Sequence, residues 1–351
     1  MTNWARRRAL IVVALVLLAG VLMAHRARVD AAWRQSLPPS QAAAAYMPTA
    51  AGFETGEVDD LVLHDAARNK DLHVKITYPK ADGNFPVIIF SHGYGGSKNT
   101  YASLTRFWAE HGYVALQPTH DDSIELKRQR GATGIGMGFA HVGEDINDPQ
   151  QWANRTRDVS FLIDSLGEIE RDVPPVAGKL DKSRIGVGGH SFGALTTILI
   201  GGAKVTPAGQ SKPESFADPR VRALVVMSGS GPGQMGLDNH SWDSVTLPMI
   251  VMTGTRDLGL GAQGVEWRKK PYELSKGKDR YFLLLDGGTH MTFTGMPAQA
   301  GLQPKILFET VKVSSLAFWD AYLKDSEQAR KYLNTSALAD FSGGKATLER
   351  P

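Results

Sequence analysis

The sequence of 351 residues contains no cysteine, which excludes disulfide bonds, thiolate metal sites and a cysteine nucleophile. It also has little net charge, because 39 Lys and Arg residues against 36 Asp and Glu residues leave only +3. The positive excess lies in residues 1–30, so the rest of the chain is close to neutral and gives no reason to expect a nucleic-acid partner. Aromatic residues make up only 8%, but hydrophobic residues make up 42%, which is typical of a globular domain with a large core.

Long hydrophobic runs are scarce, and the one that stands out is near the N-terminus. Arg6, Arg7 and Arg8 precede a 16-residue apolar stretch at residues 9–24. This stretch is slightly longer than the apolar part of a secretory signal and shorter than the roughly 20 residues of a membrane span. We therefore predict that residues 1–29 are a cleaved signal peptide or a membrane anchor. The protein would then be periplasmic, extracellular or held at the membrane.

The rest of the chain divides into a linker and one domain. Residues 30–58 contain two adjacent prolines and a run of alanines, which indicates a linker. From residue 59 onward, short β-branched runs alternate with stretches of helical periodicity. Such alternation predicts an α/β domain over residues 59–351, with a mostly parallel central sheet and helices on both faces. The polar, glycine-rich stretch at about 120–150 has no clear period, and we predict that it is a long loop that acts as a lid.

A G-x-S-x-G pentapeptide, Gly189–Gly193, lies between a predicted strand at 184–188 and a predicted helix at 192–200. This is the setting of a nucleophile elbow, a tight strand-to-helix turn that strains its middle residue and tolerates only small neighbours. The turn would raise the Ser191 hydroxyl above the sheet at the helix N-terminus, where the helix dipole favours negative charge. We predict that Ser191 is a nucleophile. The alternative is a glycine-rich turn with an incidental serine.

A second glycine-rich loop, Ser91–Gly96, follows a predicted strand upstream. Acyl transfer creates an oxyanion, which needs two preorganised hydrogen-bond donors. We predict that these donors are the backbone N–H groups of Tyr94 and Phe192. We also expect the side chains of Tyr94 and His190 to contact the substrate. A phosphate-binding loop is disfavoured because the Lys-Ser/Thr ending of such loops is missing.

A serine nucleophile needs a base, and the base needs an acid that orients it. Two histidines follow Ser191 in the sequence. His290 comes directly after a predicted strand, whereas His240 lies in a polar turn, so we predict that His290 is the base. Asp257 also follows a predicted strand and is our choice for the acid, with Asp286 as the second choice.

Other polar residues receive more ordinary interpretations. We expect His120-Asp121-Asp122, after the strand at 113–117, to cap a loop or contact the substrate rather than bind a metal. We interpret Arg155, Arg157 and Asp158 as a salt bridge on a helix surface. His92 is expected to pack or form a hydrogen bond beneath the loop that carries Tyr94.

The combination of the motifs at 91–96 and 189–193 resembles the α/β-hydrolase superfamily. Within it, the chain is similar to the platelet-activating-factor acetylhydrolase and predicted dienelactone hydrolase group. The segments 109–114 and 290–293 also fit that group, so the resemblance covers roughly residues 59–326. It implies a serine esterase that acts without a metal or an organic cofactor.

The resemblance assigns roles to the same residues. Ser191 takes the position of the nucleophile, Asp257 that of the acid and His290 that of the base, while Tyr94 and Phe192 take the oxyanion-hole positions. The sequence departs from genuine dienelactone hydrolases, which use a cysteine nucleophile.

The expected substrate is a short-acyl or lipid-like carboxylic ester. Polyester hydrolases and cutinases also have a tyrosine after a His-Gly pair, so a polymeric ester stays open. A serine peptidase and a catalytically inactive binding protein with this fold are further alternatives.

Overall fold

A computed structural model describes Tyr46, Pro48 and residues 52–131, 142–259, 261–295 and 304–351. Contacts divide the chain into two units, Met1–Met47 and Pro48–Pro351. The predicted signal or anchor at 1–29 lies outside the described residues. In the described part, no helix combines the length and the apolar character needed to cross a membrane.

The strands are, in chain order, β1 (Thr55–Asp65), β2 (Lys70–Pro79), β3 (Phe85–Ser91), β4 (Val114–Thr119), β5 (Leu180–His190), β6 (Lys204–Val205), β7 (Glu214–Ser215), β8 (Val221–Met227), β9 (Met249–Arg256), β10 (Arg280–Thr289) and β11 (Ala346–Glu349).

The α-helices are α1 (Ala102–Glu110), α2 (Ile124–Gln129), α3 (Val142–Asn147), α4 (Pro149–Asp164), α5 (Leu166–Asp172), α6 (Phe192–Ile200), α7 (Val265–Arg268), α8 (Lys270–Leu274), α9 (Lys305–Leu323), α10 (Glu327–Leu333) and α11 (Ala337–Phe341). Short 3-10 turns lie at Pro174–Val176 and His290–Thr294.

Nine of these strands form one sheet in the order β1-β2-β4-β3-β5-β8-β9-β10-β11. The six strands from β4 to β10 in this order are parallel to one another. The strands β1, β2 and β11 join the edges of the sheet in antiparallel pairing. The predicted α/β-hydrolase architecture with a mostly parallel sheet is therefore confirmed.

Alternate residues of the central strands pack against helices on opposite faces, as the period of a strand requires. On one face, Val87 and Ile89 of β3 belong to a core cluster that also contains Val159 of α4 and Leu195 of α6. On the other face, the ring of Phe90 lies 5.5 Å from that of Trp108 in α1. Because both faces are covered, the carboxyl ends of the parallel strands are the place where polar side chains reach solvent.

The structure differs from the predictions in two segments. Residues 55–58 of the predicted linker belong to β1, which begins at Thr55 and pairs with β2, and most of the remaining linker lies outside the described residues. The stretch at 120–150 is not one long loop: it contains α2 and α3, and α4 begins at Pro149. The helices α2 and α3 have six residues each, and each buries only one side chain, so they leave no helical period in the sequence.

Candidate active site

Ser191 lies in the sharp turn between β5 and α6. Its φ of 57° falls in the left-handed region, which strains any residue with a side chain. A Cβ atom at Gly189 would overlap with the backbone of Gly193. A Cβ atom at Gly193 would overlap with the backbone of Ser91 in β3. The two glycines are therefore required both by the turn and by its close packing against the neighbouring strand.

The base and the acid predicted from the sequence are in contact. His290 follows β10, Asp257 follows β9, and these neighbouring parallel strands end at the same edge of the sheet. His290 Nδ1 lies 2.9 Å from Asp257 Oδ1. The side chain of Asp257 is fully buried, whereas that of His290 is 35% exposed. Both His290 and Ser191 line the same pocket.

Several groups hold Asp257 in its ionised form. Burial by itself would raise the pKa of this carboxyl, but the hydrogen bond from His290 and the positive charge of Arg268 lower it below its usual value. Arg268 Nε lies 3.1 Å from Asp257 Oδ1, and the hydroxyl of Thr253 donates to Oδ2 at 2.9 Å. A carboxylate can only accept hydrogen bonds, so Nδ1 of His290 carries its proton and donates it to Asp257. The other ring nitrogen, Nε2, then has a free lone pair that can act as a base.

Two residues beside this pair were not found by sequence reasoning. Ser228 directly follows β8, has a φ of 55° and places its Oγ 2.8 Å from His290 Nδ1. Arg268 ends α7, is 3% exposed and donates to the carbonyl oxygens of Ser228 and Gly229 at 2.7 and 3.1 Å. The position of Ser228 after a parallel strand was a usable signal. For Arg268 the sequence offers none, because it lies in a four-residue helix.

The loop after β3 contains the predicted oxyanion donor Tyr94. His92 Nδ1 donates to the carbonyl of Gly93 at 2.7 Å, and the N–H of Gly96 donates to the same carbonyl at 3.0 Å. In a planar peptide the C=O and the following N–H point in opposite directions. Fixing the carbonyl of Gly93 therefore fixes the direction of the Tyr94 N–H. The N–H of Phe192 belongs to the first residue of α6, where a helix leaves its N–H groups without helical partners.

His92 supports this loop as a neutral ring. Its Nε2 accepts the backbone N–H of His120 at 3.0 Å, while Nδ1 donates to Gly93. Burial, together with the nearby charge of Arg155, lowers the pKa of His92 to about 4. The expectation that His92 forms a hydrogen bond beneath the loop agrees with this arrangement.

The phenol of Tyr94 connects the loop to the segment that was predicted to be a lid. Its hydroxyl donates to Asp145 of α3 and accepts from Lys127 of α2 at 3.2 Å. Burial and the bond to Asp145 raise the pKa of Tyr94 to about 12, so the phenol stays protonated. A lid role for this segment stays a prediction.

The ring of His190 packs against that of His290. Its ring centroid is 4.6 Å from that of His290, and its Nδ1 lies 2.7 Å from the hydroxyl of Tyr101. The same Tyr101 oxygen accepts the N–H of Gly93 at 3.3 Å. His190 is only 3% exposed but lines the pocket, and direct contact with a substrate stays a prediction.

The pocket at this edge has a volume of about 460 Å³, and most of its surface is apolar. Next to Ser191, Tyr94 and His290 its wall is formed by Val142, Ile146, Met235, Leu258, Trp267 and Met291. Leu258 and Met291 are also 57% and 47% exposed, so they lie at its rim. The pocket therefore fits an apolar group next to the serine.

The predicted surface salt bridge of Arg155, Arg157 and Asp158 is wrong, because Arg155 and Asp158 face inward and are buried, and only Arg157 is exposed. Arg155 binds Asp122 with two hydrogen bonds of 2.9 and 2.8 Å. Asp158 accepts from Nδ1 of His120 at 2.8 Å, and Nε2 of that ring lies 2.7 Å from Ser91 Oγ. The polar residues on one face of α4 are buried against polar residues at the ends of strands. In the sequence, such a face looks the same as a polar face exposed to solvent, which explains the error.

The polar atoms of His120 and Asp122 are bound by other side chains. His120 is saturated by its two partners, and Asp122 is bound to Arg155. In the described ranges, no three His, Asp or Glu side chains are grouped in a way that could hold a metal ion.

Comparison with known proteins gives the family context. The family model named Chlorophyllase matches residues 45–132. The chain is 21% identical to the cutinase est2 of Thermobifida alba, over 78% of this chain and 72% of the relative. It is 26% identical to the platelet-activating factor acetylhydrolase of Cavia porcellus, over 70% of this chain and 59% of the relative, so it spans about three fifths of that protein's length.

A solved structure with the same fold completes the comparison. The ferulic acid esterase from Streptomyces cinnamoneus superposes with a TM-score of 0.59 at 18% identity, over 88% of this chain and 99% of that protein. The chain has the α/β-hydrolase fold. Cutinases and platelet-activating factor acetylhydrolases are the groups that the sequence motifs resemble, and the prediction of a carboxylic ester hydrolase is confirmed.

Proposed function

We propose that this α/β-hydrolase cleaves short-acyl or lipid-like carboxylic esters through an acyl-enzyme on Ser191. The observation that carries the proposal is the hydrogen bond of 2.9 Å between Asp257 and His290, whose ring lines the same pocket as the strained Ser191. Nε2 of His290 takes the proton of the Ser191 hydroxyl as its oxygen attacks the ester carbonyl. The N–H groups of Tyr94 and Phe192 hold the oxyanion, and Asp257 stabilises the charged imidazole.

The second half of the reaction uses the same groups. His290 gives its proton to the departing alcohol, which leaves an ester between the acyl group and Ser191. Water then loses a proton to Nε2 of His290 and attacks the acyl carbonyl. Collapse of this second tetrahedral intermediate returns the proton to Ser191 and releases the acid.

The substrate class is supported by the shape and chemistry of the pocket. Its apolar wall suits an acyl chain or an apolar alcohol, and a group of moderate size fits into about 460 Å³. Polyester cleavage is a second candidate, favoured by the exposed rim residues Leu258 and Met291 and by the similarity to cutinases.

The test is a panel of p-nitrophenyl esters from acetate to octanoate, a phospholipid with an sn-2 acetyl group, a polyester film and an anilide of the preferred acyl group. Wild type should hydrolyse the esters, and Ser191→Ala should remain folded and lose the activity by many orders of magnitude. Equal ester hydrolysis by Ser191→Ala would overturn the proposal. Faster cleavage of the anilide than of the matching ester would instead indicate a peptidase.

We further propose that residues 1–29 direct the protein out of the cytoplasm or anchor it to the membrane. The apolar run at 9–24 after three arginines supports this proposal. Expression of the full chain, cell fractionation and N-terminal sequencing test it. Recovery of the whole, uncleaved chain in the cytosolic fraction would contradict it.

A further inference from the structure

The guanidinium of Arg155 is buried against the loop that contains Tyr94. Arg155 belongs to α4 and is 1% exposed. Its Nη1 donates to the carbonyl of His92 at 2.8 Å and contacts Ser91 Oγ at 3.3 Å. Its Nε and Nη2 bind the two carboxylate oxygens of Asp122 at 2.9 and 2.8 Å. This is a bidentate, charge-assisted pair, the strongest and most directional type of ion pair between side chains.

Asp122 also binds the same loop. Its Oδ2 accepts the backbone N–H of Gly95 at 3.0 Å. Burial alone would raise the pKa of Asp122, but the charge of Arg155 keeps it well below its usual value, so the carboxylate is ionised. The pair therefore holds the carbonyl of His92 and the N–H of Gly95. These two groups lie on either side of the peptide that joins Gly93 to Tyr94.

Arg155 also contacts the other half of the predicted oxyanion hole. The centre of its guanidinium lies 4.5 Å from the centroid of the Phe192 ring, in cation–π geometry. The side chain of Arg155 therefore contacts both the loop that contains the Tyr94 N–H and the ring of Phe192. These two segments are about 100 positions apart in the sequence, and Arg155 is a direct physical link between them.

Stability alone does not account for this arrangement. A buried ion pair loses the hydration of both charges, and apolar residues of similar volume often stabilise a core as well or better. The bidentate geometry instead fixes the positions of Arg155 and Asp122 relative to each other, and an apolar contact would fix them less precisely. An oxyanion hole depends on such fixed donors, because it gains its effect from preorganisation.

We propose that Arg155 and Asp122 are positioning residues that set the alignment of the Tyr94 and Phe192 N–H groups. They do not touch the reacting atoms, so they act only through the backbone of the loop and the ring of Phe192. The inference rests on the proposed function, because it takes these two N–H groups to be the oxyanion donors.

The test compares an ester with its thionoester, in which sulfur replaces the carbonyl oxygen. Sulfur is larger and accepts hydrogen bonds weakly, so N–H donors stabilise its anion much less than an oxyanion. The ratio of kcat/KM for the two substrates therefore reports how well the donors are aligned. We would measure it for wild type, Arg155→Lys, Arg155→Met and Asp122→Asn, after checking each fold by circular dichroism and thermal melting.

The matched control is Lys179→Met. Lys179 is another buried cation, 8% exposed, which donates to the carbonyl oxygens of Lys80 and Ala81 and does not line the pocket. Its loss should lower the melting temperature without changing the ratio. It therefore separates destabilisation from misalignment.

We expect Asp122→Asn and Arg155→Lys to lower kcat/KM for the ester by about 10- to 100-fold, somewhat less than complete loss of one donor. The loss should appear in kcat rather than in KM, and the thionoester rate should change by less than about threefold. The substitution Asp122→Asn nearly preserves volume and keeps the test valid if Arg155→Met does not fold. Equal losses on the two substrates in folded variants would overturn the positioning role.

Ser191→Ala, run in parallel, separates this inference from the proposed function. Suppose that Ser191→Ala hydrolyses neither the ester nor the thionoester, while the ratio of kcat/KM for the two substrates is unchanged in the Asp122 and Arg155 variants. The positioning role is then wrong, and the proposed function stands. If Ser191→Ala retains the wild-type rate on the ester, the proposed function fails and the positioning role fails with it.

Discussion

Replacing Asp257 by asparagine should remove the charge that stabilises His290 without changing the shape of the site. The two oxygens of Asp257 have different partners: Oδ1 faces His290 Nδ1 and Arg268, and Oδ2 accepts from the hydroxyl of Thr253. An amide group at the Oδ1 position would point its donors at Arg268, which is also a donor. At the Oδ2 position the amide can donate to Thr253, whose hydroxyl is able to rotate and accept.

The amide should therefore turn its oxygen towards His290 and keep the correct tautomer. What is lost is the attraction between the carboxylate and the imidazolium that forms during the reaction. Two unit charges about 4 Å apart attract by ~4 kcal/mol at an effective dielectric constant of about 20. Since ~1.4 kcal/mol corresponds to a tenfold change in rate, we expect kcat to fall by about 10³-fold. A flipped amide that enforces the wrong tautomer would cause a loss of about 10⁴-fold.

The assay is the steady-state hydrolysis of p-nitrophenyl acetate by purified variants. The matched control is Asp286→Asn, because Asp286 is the second choice for the acid, is 62% exposed and pairs with Lys345. This control should keep the wild-type kcat. Activity of Asp257→Asn within tenfold of wild type, or a larger loss in Asp286→Asn, would refute the assignment of the acid.

Two further predictions concern the buried groups Arg268 and His92. Arg268→Met should lower kcat by at least about tenfold, because the guanidinium holds Asp257 ionised and binds the carbonyls of Ser228 and Gly229. Steady-state kinetics of the folded variant test this prediction, and an unchanged kcat would contradict it. The pKa of His92 is about 4 in the folded protein, against a usual value of 6.5, so the unfolded chain binds more protons than the folded chain between these two pH values. Burial of the neutral His92 ring therefore contributes its full stability above pH 6.5. This contribution is lost as the pH falls towards 4. Urea unfolding at pH 7.5 and 5.5 should show a pH dependence that is smaller in His92→Asn than in wild type, by up to about 1.4 kcal/mol per pH unit; equal slopes in the two proteins would contradict the prediction.

The sequence was sufficient to predict the fold because the central strands are continuous apolar runs. All seven residues of β3 and all nine residues of α6 are buried, and such segments have an unambiguous pattern. The short edge strand β11 was not predicted, because its four residues include only one that is buried. The helices α2 and α3 were missed for the same reason.

The residues of the candidate site divide in a similar way. Ser191, Asp257 and His290 could be singled out because each directly follows a strand of a parallel sheet, and the carboxyl ends of these strands meet at one edge. Their catalytic roles stay predictions. Arg155 and Arg268 could not be identified, because each lies on a helix whose polar residues look the same in the sequence whether they face solvent or a buried carboxylate.

The central claim is that Ser191 becomes covalently acylated. Mass spectrometry of the intact protein and of its peptides, after reaction with a fluorophosphonate, tests this most directly. The account predicts one adduct per chain, located on the peptide that contains Ser191, and no adduct on Ser191→Ala under the same conditions. An adduct on another residue, or equal labelling of the alanine variant, would contradict the account.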